Sequence, residues 1–173
     1  MSFCRDSLTE STLHQLAQYE SPLGPLTLIA HDDALAAIQF DFPLSIEKRS
    51  APSSQLLKTA VSQLDDYFQG TRMVFEIPLL LRGTNFQKAA WKNLLQIPFG
   101  TTQSYREQAT TLGDARKARA AAMAIKKNPI AIVIGCHRVI AKSGDIGGYF
   151  GDSKLGRERK KWLLDWEKKV LAS

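Results

Sequence analysis

Between Ser104 and Pro129 the chain carries start and stop signals for two helices joined by a single glycine. Ser104 followed by Glu107 has the spacing of a capping box, in which each residue satisfies an unpaired N–H at the helix start. That helix is expected to run to about Leu112 and stop at Gly113. Asp114 can cap a second helix, which must end before Asn128-Pro129 because the residue preceding proline avoids the helical region. Helix, tight glycine turn, helix is the outline of a helix-turn-helix.

The second helix has an unusual composition. Ala115 to Ala124 is almost entirely small residues and cations, with Arg116, Lys117 and Arg119 close together. Small side chains let a backbone approach another surface, and the cations suit phosphates. An alanine-rich core helix with cations at its wet edge is the alternative, but core packing alone does not require three cations together. The charge distribution points the same way. Residues 1–80 hold 5 Lys and Arg against 10 Asp and Glu, whereas residues 81–173 hold 18 against 7, so a basic half follows an acidic one. Phosphate contacts dominate nucleic-acid affinity, and a half-chain of net charge +11 is suited to them. A solvated lysine-rich surface would give the same count.

Several classes are excluded. With 44% apolar and 23% charged residues the chain is neither disordered nor fibrous. Two cysteines, Cys4 and Cys136, make no disulfide framework and fit a reducing compartment. No apolar run approaches the ~18–20 residues that cross a bilayer. The N-terminus lacks a basic segment followed by an apolar one. The expectation is a cytoplasmic protein with no membrane association. Cys4, His14 and His31 lack the paired spacing of zinc ligands, so no metal is expected.

Upstream, Ser21 to Pro25 is a turn signal, and two β-rich runs, Leu26–Ala30 and Leu35–Phe40, flank Asp32-Asp33 as a hairpin would. Pro52 to Gly70 repeats apolar residues on one helical face. Phe86, Ala89, Ala90, Trp91, Leu94 and Leu95 form a further helical stripe closed by Pro98 and Gly100. Arg157 to Lys169 reads as an amphipathic helix packed on the core with a wet basic face. The expected fold class is α/β (α+β): a small N-terminal α+β domain at 1–83, then a mainly helical, winged helix-turn-helix-like domain at 84–173.

The most informative stretch is the apolar run Ile130–Ile134, read as a strand, ending in Gly135-Cys136-His137-Arg138-Val139. Cations beside a cysteine favour the thiolate, the nucleophilic form. A buried cysteine acting as a small hydrophobe beside a core histidine fits the same residues, since adjacent side chains need not face each other.

Cys-His-Arg-Val, preceded by Asn128-Pro129 and followed by Gly148-Tyr149, resembles the O6-alkylguanine-DNA alkyltransferases (methylated-DNA–protein-cysteine methyltransferases). The resemblance extends through Phe86-Gln87, Trp91, Ile97-Pro98-Phe99-Gly100, Tyr105, Ala118-Arg119-Ala120, Trp162-Leu163-Leu164 and Glu167. It implies a suicide repair protein acting on double-stranded DNA from the minor groove, with the damaged guanine rotated out of the duplex. Cys136 would accept the alkyl group, His137 would act as a water-mediated base, and Glu167 would orient it. Asn128 would brace the reactive loop, and Tyr105 would turn the phosphate and donate to the guanine. Arg119 would fill the gap left by the flipped base, with Arg116 and Lys117 on the backbone. Tyr149 would flank the alkyl group. Gly135, Arg138 and the backbone around Val139 would contribute substrate contacts, Val139 reading the exocyclic amine. No cofactor is implied, since the alkyl donor is the DNA, and a monomer is expected.

The chain departs from the family pattern at Gly135, where proline is usual, and after Tyr149, where Phe150-Gly151-Asp152 replaces small residues in a longer loop. A lesion sensor that binds without transfer, and a winged-helix transcriptional regulator, are the competing readings. Cys136 argues against the first. The second leaves Tyr105, Asn128, His137 and Glu167 unexplained as a set.

Overall fold

The computed structural model describes residues 14–42, 54–149 and 153–173. Three antiparallel strands, β1 (His14–Ser21), β2 (Gly24–His31) and β3 (Ala34–Phe40), form one sheet in that order. The hairpin across Asp32-Asp33 forms as expected, with Asp32 in the left-handed region. β1 was not expected. Its sequence HQLAQYES alternates weakly, and it is a strand because it pairs with β2 along its whole length. Helix α1 (Gln55–Phe68), capped by Ser54, packs on this sheet through Leu57, Ala60, Leu64 and Tyr67. Pro52, where that helix was expected to begin, lies outside the described residues.

Helix α2 (Asn85–Leu94) starts from a Thr84/Gln87 capping box. The two-residue strand β4 (Gln103–Ser104) pairs in parallel with β5 (Val139–Ile140). Helix α3 (Tyr105–Thr111) opens on the Ser104/Glu107 capping box and stops at Gly113, whose φ of 98° favours glycine. Asp114 caps the next element as expected, but that element begins as a 3-10 turn, Ala115–Lys117, before α4 (Ala118–Lys126). The C-terminal helix α5 (Lys154–Leu171) is capped by Ser153.

Edge strand β3 ties the sheet to two later segments of the chain. Leu35 exchanges backbone hydrogen bonds with Pro78 and Leu80, and Ile38 with Pro129 and Ala131. Leu28, Leu57, Leu64, Ile130, Ile132 and Leu163 therefore belong to one continuous core. Two residues expected on the wet face of α5, Arg159 and Lys160, are buried instead. Arg159 reaches the N-terminal half, donating to Leu23 O and the Asp41 carboxylate while lying 4.3 Å from the Phe40 ring centroid. Among the described residues no helix is long and apolar enough to cross a membrane.

Candidate active site

The apolar run before Cys136 is not a strand. Only Ile130 makes a bridge, to Ile38; beyond it the chain folds into tight turns, with Ile134 N–H donating to Ile130 O at 3.1 Å and Cys136 N–H to Ile134 O at 2.7 Å. Residues 130–134 are buried, so their composition records burial on every side rather than alternation across a sheet. Ile132 sits at φ 70°, which a β-branched residue adopts only when its surroundings enforce it.

Asn128 is part of that enforcement. Its Oδ1 accepts from Ile130 N–H at 3.0 Å, while Nδ2 donates to Ile134 O at 3.0 Å and to the Cys136 Sγ at 3.1 Å. Cys136 begins a 3-10 turn ending at Arg138. Burial pushes its thiol up to about 11, against the opposing effects of the Asn128 hydrogen bond and the Lys160 charge. The expected thiolate-favouring role of neighbouring cations is therefore outweighed in the free protein.

His137 and Glu167 meet as the sequence resemblance implies. His137 Nε2 lies 2.7 Å from Glu167 Oε1, and both side chains are fully buried. Burial alone would raise the Glu167 carboxyl, but hydrogen bonds and charge from His137 and Arg138 hold it well below the usual carboxylate range. Burial lowers the His137 imidazole, with Glu167 opposing, so the ring is neutral at pH 7. An ionised Glu167 puts the ring hydrogen on Nε2 and leaves the lone pair on Nδ1. Nδ1 is buried without a hydrogen-bond partner among the described residues.

Arg138 corrects an expectation. It is buried, pairs with Glu167 through Nε at 3.0 Å and Nη2 at 2.9 Å, and donates Nη1 to Ile97 O. These donors turn inward beside the Phe99 ring, and Arg138 does not line the cavity at Cys136, where a substrate contact was expected of it. Gly100 completes this clamp: its N–H donates to Glu167 Oε2 at 2.8 Å. At φ 73° Gly100 lies in the left-handed region that favours glycine.

Cys136, Tyr105, Tyr149, Gly148 and α4 residues Ala122, Met123 and Lys126 line a cavity of about 280 Å³. Tyr149 is buried, edge-on to the rings of Phe40 and His137. Sequence reasoning missed a buried cation of the cavity. Lys160 Nζ donates to Val139 O at 2.6 Å and lies 5.9 Å from the Tyr105 ring centroid, and burial pulls its pKa down to about 8. Val139, expected to read the guanine amine, thus has its carbonyl already engaged, and its N–H bonds to Cys136 O. The signal available was position: Lys160 lies one helical turn before Leu164 on the buried face of α5.

On the outer face, Arg119 and Lys117 are exposed. Arg116 is paired bidentately with Asp114, its Nε 3.0 Å from Oδ1. Gly135 has φ −68°, the value proline imposes, so no left-handed turn explains the glycine. Among the described residues no group of three His, Cys, Asp or Glu could hold a metal ion. Cys4 lies outside the described residues.

A helix pair thus opens onto a cavity holding a cysteine, and the next residue, His137, forms a buried pair with the Glu167 carboxylate. Residues 85–169 match the 6-O-methylguanine DNA methyltransferase DNA-binding domain, and residues 16–81 match its ribonuclease-like domain. A Mycobacterium tuberculosis protein named methylated-DNA–protein-cysteine methyltransferase is 43% identical over 151 residues, 86% of this chain and 89% of that one. The solved O6-methylguanine methyltransferase of M. tuberculosis aligns with a TM-score of 0.81 at 39% identity, covering 91% of this chain and 94% of that one. A structure described as the M. tuberculosis OGT in complex with DNA aligns at 0.79 and 41% identity, covering 90% and 93%. The chain belongs to the methylated-DNA–protein-cysteine methyltransferase family.

Proposed function

We propose that this chain repairs O6-alkylguanine in double-stranded DNA by moving the alkyl group to Cys136 Sγ, once per molecule. The observation that carries this reading is that the thiol opens into the cavity walled by α4 and Tyr105, so nucleophile and DNA-facing helix share one space. The His137 Nδ1 lone pair takes the thiol proton through a water, and Glu167 holds the ring and balances its charge. The thiolate attacks the alkyl carbon in line, the O6–carbon bond breaks as the S–carbon bond forms, and Tyr105 supplies a proton or hydrogen bond to the departing guanine. A thiol raised to about 11 keeps the thiolate a small fraction in the free protein, so ionisation is left to the bound complex.

Asn128 fixes Sγ, Tyr149 flanks the alkyl group, and Arg119 enters the minor groove to fill the stack after flipping. Lys117, and Arg116 once released from Asp114, track the phosphates. Gly135 keeps the turn before the nucleophile close without touching substrate. The chain divides into units at 1–83 and 84–173, acts as a monomer in the reducing cytoplasm, and draws on no cofactor. A lesion sensor would need no oriented base behind a thiol, so Cys136, His137 and Glu167 favour transfer over binding alone.

Incubation with a short duplex containing O6-methylguanine, followed by intact-mass measurement, tests the reading. One methyl group gained at Cys136 is the expected result; binding without a change of mass would overturn it.

A further inference from the structure

Among the partners of Glu167 to which the transfer chemistry gives no part, one is a phenol. Tyr67, the last buried residue of α1, donates its hydroxyl to Glu167 Oε1 at 2.8 Å across a separation of 100 residues. The same oxygen accepts His137 Nε2 at 2.7 Å. Tyr67 is fully buried, fixed by the rings of Phe68, Phe75 and Phe99. An apolar ring would fill that space equally well, so the hydroxyl serves the carboxylate rather than the packing.

The geometry points to Tyr67 as a positioning residue that sets the basicity of His137 by competing with it for one oxygen of Glu167. This rests on His137 acting as the base. Each donor on Oε1 withdraws negative charge from the others, and hydrogen bonds to charged groups are the strong ones. With the phenol present, Glu167 stabilises the imidazolium less, and His137 remains neutral to lower pH. Burial first, and the Glu167 charge second, push the Tyr67 phenol well above its usual 10, so it stays a donor throughout the working range. The other groups facing this pair are Arg138 and the Gly100 N–H on Glu167, and Tyr149, Lys160 and Cys136 around His137.

Tyr67→Phe and 3,5-difluorotyrosine at position 67 push in opposite directions. Tyr67→Phe removes the competitor, so the His137 pKa and the acid limb of the single-turnover rate profile should rise by about 0.5–1 pH unit, a shift within reach of one charged hydrogen bond. The fluorinated phenol is a stronger donor and should lower both. Affinity for undamaged duplex should stay unchanged in each. Leu64→Ala, which loosens the same helix without touching Glu167, should lower the melting temperature and leave the profile in place.

NMR titration of the His137 ring reads the effect without any transfer. A protein that transfers no methyl group yet shows the opposed His137 shifts would sink the repair reading and keep this one. Unmoved His137 titration in both Tyr67 variants, or equal profile shifts in Leu64→Ala, would overturn it. Were Tyr67→Phe not to fold, the fluorinated variant alone would decide by its sign.

Discussion

The Asn128 amide nitrogen stands 3.1 Å from the Cys136 sulfur and 3.0 Å from the Ile134 carbonyl, so one side chain holds both the nucleophile and the turn that carries it. Asn128→Ala would leave Ile130 N–H buried without its partner, while Ile134 C=O keeps the Cys136 N–H. One such orphaned group costs about 1–3 kcal/mol, and a stability loss of about that size is expected in urea unfolding. Transfer should also slow by about tenfold or more, since the lost hydrogen bond lets the thiol pKa climb by about one unit. A variant as stable and as fast as the parent would remove Asn128 from both roles.

The buried thiol makes a prediction that needs no DNA. Its pKa is raised to about 11, so the reactive thiolate is a small fraction at pH 7 and grows with every step upward. Alkylation of Cys136 by iodoacetamide should accelerate about tenfold per pH unit between roughly pH 7 and 10, because only the thiolate reacts. A plateau below about pH 9 would mean that the cations around Cys136 outweigh burial after all. Peptide mapping separates Cys136 from Cys4 in this experiment.

Much of this site was legible in the sequence because its signals are local. Capping residues at Ser104 and Asp114, and the glycine stop between them, are short-range chemistry, and the helix pair formed where they placed it. The run from Ile130 to Ile134 misled because periodicity cannot distinguish a buried strand from buried turns. Arg138 was expected at the substrate, and Arg159 and Lys160 on the wet face of their helix, whereas each is taken inward by a distant partner: Glu167, Asp41 and Val139 O. Tyr67 was legible only as part of the apolar face of its helix, since only the folded chain brings it to Glu167.

Gly135 offers two substitutions whose contrast is informative. An added Cβ would sit 3.0 Å from Arg138 Cδ, and Arg138 is pinned by Glu167 and Ile97, so Gly135→Ala should lower the melting temperature. Gly135→Pro brings the same crowding but suits the observed φ of −68° and restricts the unfolded chain, an effect of about 0.4–1 kcal/mol. The proline variant should therefore melt above the alanine variant and transfer at a rate close to the parent's. A proline variant that melts below the alanine variant would show that the preceding Ile134 cannot take the extended angles proline demands.

Arg116 and Lys117 are neighbours in sequence but differ in their contacts. Both are exposed, and Arg116 pairs with Asp114 at 3.0 Å. Lys117→Ala should weaken binding to damaged and undamaged duplex alike and reduce the salt slope by about one, as loss of one phosphate contact does. Arg116→Ala should change that slope less, because breaking the Asp114 pair offsets what the contact yields. Arg119→Ala should impair transfer from duplex far more than from the free base, since only the duplex has a stack to refill. Equal slopes for Arg116→Ala and Lys117→Ala in salt titrations would show that Asp114 releases its arginine at no cost.

The contacts that complete this centre span nearly the whole chain. Tyr67 meets Glu167 over 100 residues, and Arg159 meets Leu23 over 136. Closures of that length come late in folding, after local helices and hairpins have formed. Glu167 and Arg159 both lie on α5, which is synthesised after Cys136. A nascent chain that already displays Cys136 therefore has no carboxylate to orient its histidine and no strap to its N-terminal half. Chemical competence waits for α5, so a product truncated before that helix carries the nucleophile but not the means to use it.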